Sequence, residues 1–97
     1  MLRITRVAES PLHVTLRLEG RIVSDWVSVV ERECLTWLRE KRQVILEVAE
    51  VTFIDRRGLE MLRRIISPQL QIINAPALIE ELLSRREGEG NAPEERA

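Results

Sequence analysis

Cysteine is nearly missing from this 97-residue chain, where Cys34 stands alone. An intrachain disulfide and a cysteine-based metal cluster are thereby excluded. Histidine is equally scarce. His13 is the only one, so a Cys/His pair would have to join it to Cys34, far away in sequence. Neither GxGxxG nor a GxxxxGKS/T loop occurs, and "GEGN" follows charge rather than a strand, so no phosphate cradle is expected. Tyrosine is absent, and the aromatics are Trp26, Trp37 and Phe53, which leaves core packing to aliphatic side chains. Neither sign of charge dominates: 15 basic and 16 acidic residues give a net charge of −1. That balance argues against nonspecific nucleic-acid binding, which needs a net basic surface. No apolar run approaches ~18 residues, the length that spans a bilayer. The opening "MLRITRV" has no leader pattern. A cytoplasmic protein without direct membrane insertion is the expectation.

What is present reads as one small domain. "LRITRV" (Leu2–Val7) alternates and predicts a first strand. "HVTLRLEG" (His13–Gly20) predicts a second, antiparallel to the first, with Val14, Leu16 and Leu18 on one face and His13, Thr15, Arg17 and Glu19 on the other. Ser24 or Asp25 caps a helix whose apolar stripe is Val27, Val30, Cys34, Trp37 and Leu38. On such a stripe a buried, inert thiol is the ordinary reading of Cys34. "VILEVAEV" predicts a central third strand with Glu47 as an exposed point. A second helix is expected over Arg56–Ile66, with Leu59, Leu62, Ile65 and Ile66 on one face, stopped by Ser67 and Pro68. "LQIIN" predicts a fourth strand. "APALIEELLSR" predicts a third helix with Pro76 in its first turn and Leu78, Ile79, Leu82 and Leu83 as its apolar residues. From Arg85 onward no large apolar residue remains, so residues 85–97 read as a disordered tail and residues 1–84 as the domain. The order β-β-α-β-α-β-α implies an α/β fold, a small mixed sheet with helices on one face.

A catalytic centre is not apparent. His13 falls on the polar side of its strand, and Asp25, Glu31 and Glu33 point in different directions around their helix, as solvated charges do. Neither an enzyme nor a metal or cofactor site is expected. A compact domain without chemistry of its own most often binds something.

The place to bind is the junction "VTFIDRRGLEML" (Val51–Leu62). An apolar run ends in an acid, two arginines and a glycine before a helical pattern begins. Asp55 stands where an N-cap belongs, and its carboxylate can accept from the first free N–H groups. Gly58 permits close approach of helix to sheet. Arg56 and Arg57 are then displayed at the helix start, where cations oppose the macrodipole. Arg63 and Arg64 follow one to two turns later and extend a basic strip, diluted by Glu60. Two readings stay open. The arginines are solvated remnants of drift, or their guanidinium forks recognise an acidic or phosphorylated partner.

"VILEVAEVTFIDRRGLEML" resembles the STAS domain family, the fold of anti-sigma-factor antagonists. Phe53, Ile54, Asp55, Gly58 and Leu59 match the family's strand–Asp-Ser-Ser/Thr-Gly-Leu–helix frame. "VTLRLEGRIV" is similar to its second strand and Gly-x-Ile/Leu turn, and "LQIINAPALIEELL" to its last strand, turn and helix. The resemblance covers nearly all of residues 1–84. It implies a STAS-like fold and a partner surface built from Asp55, Arg56, Arg57, Gly58, Glu60, Arg63 and Arg64. In the family, the second hydroxyl residue of the frame accepts a phosphate that breaks the complex with a partner kinase. Arg57 stands at that position and Arg56 at the preceding one, so no phosphoacceptor is implied here. The partner implied is a kinase-like anti-sigma factor or another signalling assembly. The alternatives are an accessory role beside the ATPase of a lipid or anion transporter, or a module holding a small anion or nucleotide at the helix start. An edge strand leaves a homodimer possible.

Overall fold

The computed structural model describes residues 1–84, and the expected tail over 85–97 lies outside the described residues. Four strands and three helices follow in the expected order: β1 (Leu2–Glu9), β2 (His13–Ile22), α1 (Asp25–Arg39), β3 (Gln43–Ile54), α2 (Arg56–Ile65), β4 (Leu70–Ile73) and α3 (Ala77–Ser84). The strands lie side by side in sequence order. β1 runs antiparallel to β2, while β2, β3 and β4 are mutually parallel. This is a small mixed sheet, and β3 is interior to it.

The period-two pattern decides which face is covered. Val14, Leu16 and Leu18 of β2 and Val44, Leu46 and Val48 of β3 are buried together with Val27, Val30 and Cys34 of α1 and Met61, Leu62 and Ile65 of α2 in one core. The opposite face is polar. There Arg17 and Glu47 pair at 2.7 Å, and Asn74 donates to the other Glu47 oxygen at 3.3 Å. Glu47 is therefore half-buried in a network rather than simply exposed as expected. Trp37 closes the edge of the α1 stripe under Arg6 and Arg42, whose guanidiniums stand 5.5 and 5.0 Å from its ring. Glu9 joins both arginines, at 3.3 and 2.6 Å.

Several boundaries differ from the sequence expectation. Gly20 is not a turn. It lies inside β2 at φ 112°, beside a register shift, and a Cβ there would land on the Met1 carbonyl oxygen. That same oxygen accepts the Arg21 N–H at 3.1 Å, so β2 continues to Ile22. β3 likewise runs beyond Val51, pairing Phe53 with Arg21 and Ile54 with Ile22. The buried α2 stripe is Gly58, Met61, Leu62 and Ile65, with the expected Leu59 half-buried against the core; Ile66 is the extended C-cap and 43% exposed. The missed Met61 follows from i, i+3, i+4, i+7 spacing counted from Gly58. Pro76 precedes α3 and supplies the carbonyl for Glu80 N–H, and Leu78 points away from the core at 67% exposure.

Candidate functional site

The two middle strands end level, at Ile22 and Ile54, and hand the chain to α1 and α2. Asp55 is the N-cap of α2, with extended backbone at φ −88° and ψ 178°. Its Oδ1 accepts the Gly58 N–H at 2.8 Å and its Oδ2 the Ser24 N–H at 3.1 Å. Its own N–H donates to the Ile22 carbonyl at 3.2 Å. One carboxylate thus closes the start of α2 and ties it to the start of α1. The Gly58 N–H, then the Ser24 N–H, hold the Asp55 carboxyl below the usual carboxylate range, with the nearby Arg57 charge adding to them.

Gly58 is a matter of space. A Cβ there would stand 2.8 Å from the Ile22 carbonyl oxygen and 2.9 Å from Ile54 Cγ1. Only glycine lets the first turn of α2 press against the strand ends. Ser24 caps α1 in position only. It makes no side-chain cap and sits at φ 53° and ψ −128°, a conformation that costs an L-residue on the order of 1–3 kcal/mol. Its backbone is held there by Asp55. The sequence offered Ser24 as a cap; its role as partner of Asp55 depends on a contact 31 residues away and leaves no local signal.

The arginines divide. Arg56 has an 83% exposed side chain and, among the described residues, meets only Glu60, Nε to Oε2 at 3.3 Å. Arg57 is exposed beside it. Arg63 turns to α3, donating from Nη2 to the Leu82 carbonyl at 2.6 Å. Arg64 turns to α1 and pairs with Glu31 at 3.0 Å. The basic strip expected along α2 does not run: Arg63 and Arg64 join helices, and Arg56 and Arg57 remain at the junction with Asp55, Gly58 and Glu60. Two further neighbours were not singled out as site residues. Phe53 is 48% exposed, and the Arg21 guanidinium lies 5.2 Å from its ring centre.

Of the residues weighed for chemistry, His13 is exposed where β2 begins, and Cys34 is fully buried on α1. Burial pushes its thiol up to about 12, with Glu33 and Glu31 reinforcing the shift. Among the described residues no three His, Cys, Asp or Glu side chains are placed to hold a metal ion.

This strand–aspartate–two residues–glycine–helix junction, on a four-stranded mixed sheet, accompanies a match to the STAS domain family model over residues 5–72, more than half of the chain. The chain belongs to the STAS domain family. The match begins in β1, contains the whole junction and ends in β4. STAS domains are generally non-catalytic and commonly mediate protein–protein interactions. The comparison with curated proteins gave no match. Among the described residues of this STAS chain, no helix is long and apolar enough to cross a membrane.

Proposed function

We infer that this STAS domain, residues 1–84, is a non-catalytic interaction module of the anti-sigma-factor-antagonist type that works without a phosphorylation switch. The observation that carries the reading is the pair Arg56 and Arg57, turned outward at the start of α2 where Asp55 and Gly58 frame the family's switch position. An alcohol at that position is neutral until phosphorylated and anionic afterwards. Two guanidiniums are cations and have no hydroxyl oxygen on which to take phosphate. The state of the junction is therefore fixed. The partner that suits it is a kinase-like regulatory protein or another signalling assembly in the cytoplasm that presents carboxylates to the arginines. A small anion held directly on the helix end is disfavoured, because the Asp55 carboxylate already occupies the Gly58 N–H.

The test is a pull-down from the producing cell with the natural chain and with Arg56→Ala/Arg57→Ala, beside incubation of both with ATP and cell extract. A regulatory protein retained by the natural chain and lost by the double variant is the expected result, with no phosphate on the natural chain. Stoichiometric phosphate uptake by the natural chain overturns the unswitched reading.

A further inference from the structure

The only phenylalanine of this chain is spent on the surface. Phe53 lies between buried Ile54 and the Val51–Thr52 segment, one residue from the end of β3, and is half exposed. Its neighbour in register on β2 is Arg21, whose guanidinium stands 5.2 Å from the ring centre. Arg21 makes no ion pair among the described residues. A lone exposed apolar residue needs no explanation. This one is mounted with a cation over its face, on two paired strands, and it is adjacent on both strands to the residues that build the junction. Arg21 precedes Ile22, whose carbonyl receives the Asp55 N–H, and Phe53 lies two residues before Asp55. Aromatic and arginine side chains fixed on rigid elements are the composition of interface hot spots.

We propose that the partner surface does not stop at the first turn of α2 but continues onto the Arg21–Phe53 pair, and that it receives a protein segment carrying an apolar side chain bordered by carboxylates. This rests on the junction being an interaction site. The ring supplies the apolar contact, and Arg21 and Arg57 supply charge for the flanking acids. An anionic membrane also attracts arginine beside phenylalanine, but the surroundings oppose one here. Exposed Glu50 stands in register with Glu19 two residues up β2 from Arg21, and Arg3 reaches only Glu19, at 3.9 Å, among the described residues. A flat anionic surface meets those glutamates together with the arginines, whereas a protein segment is shaped to avoid them.

The experiment places a photo-crosslinking phenylalanine analogue at position 53, and separately at position 57, of the full chain in its own cell. Captured protein is identified, purified and titrated against the natural chain, Phe53→Ala, Arg21→Ala and Arg57→Ala, with His13→Ala as control. The same protein should crosslink from both positions. Phe53→Ala should weaken its binding by about tenfold or more. Each arginine variant should flatten the salt dependence, and His13→Ala should bind as the natural chain does. Thermal melts verify folding, and Phe53→Leu, which keeps bulk and loses the ring face, repeats the comparison if the alanine variant unfolds. Capture from 57 but not 53, with Phe53→Ala binding within twofold, overturns the extension and leaves the junction reading intact. Capture from neither position overturns both. Cosedimentation with phosphatidylglycerol vesicles that is lost in Phe53→Ala, without protein capture, replaces the protein segment with a membrane.

Discussion

Asp55 accepts two backbone N–H groups at the starts of two different helices, so its substitutions remove one or both of those bonds. Asp55→Ala removes both bonds, and loss of an N-cap alone costs about 0.5–2 kcal/mol. Urea unfolding should place this variant at the upper end of that range, because the Ser24 N–H loses its acceptor as well. Asp55→Asn keeps one acceptor oxygen for the Gly58 N–H but turns an NH2 donor toward the Ser24 N–H, so its loss should be smaller than that of the alanine variant without vanishing. Gly58 fails differently. The added methyl of Gly58→Ala meets the Ile22 carbonyl, which is backbone and cannot swing aside. Overpacking of this kind costs about 1–3 kcal/mol, although alanine is the better helix former. A melting temperature at or above that of the natural chain would show that α2 does not press on the strand ends.

At the level of elements, the four arginines of α2 should behave as two classes. Arg63 joins α2 to α3 through a short charged hydrogen bond to the Leu82 carbonyl, an interaction type worth about 1.5–3 kcal/mol. Arg57 is exposed, and such positions usually change stability by no more than about 0.5 kcal/mol. Chemical denaturation of Arg63→Ala and Arg57→Ala should therefore differ clearly, with only the first destabilised, while partner binding should respond to the second. This division could not be read from the sequence. Successive helix residues are about 100° apart, so "RR" at 63–64 says that two directions are taken but not which neighbours lie there. Those neighbours, Leu82 and Glu31, come from helices placed by tertiary packing. The elements themselves were legible because their periods are clean, as in Val14-Leu16-Leu18 and Val27-Val30-Cys34. The strand ends were not. The shift at Gly20 breaks the alternation of β2, and the irregular run from Ala49 to Phe53 hides the last residues of β3, and with them the pairing of Arg21 and Phe53. The Asp55 cap and the Gly58 contact were readable in type, since each needs only one residue of a given chemistry at a fixed offset.

For the molecule as a whole, the perturbed groups set a stability window in pH. On the acid side, Asp55 is held low by the Gly58 and Ser24 N–H groups, Glu9 by its bond to Arg42, and Glu47 by its bond to Arg17. A carboxyl depressed in the folded state stabilises above its unfolded pKa, about 4, and loses that contribution as the pH falls through the folded value. On the alkaline side, Cys34 works in the opposite sense. Its thiol, pushed up to about 12 by burial, stays neutral in the fold, while the unfolded thiol ionises near pH 8.5. The stability it lends is complete below about pH 8.5 and declines steadily as the pH rises toward 12, because unfolding then releases a proton that the core retains. Cys34→Ala leaves a small cavity and lowers stability at neutral pH, but it removes the titrating group. Its urea midpoint should therefore fall less between pH 7 and pH 10 than that of the natural chain. The native thiol should also resist alkylation at pH 8 and react as soon as urea opens the core. Rapid alkylation of the folded chain would place Cys34 at the surface and remove the alkaline limit assigned to it.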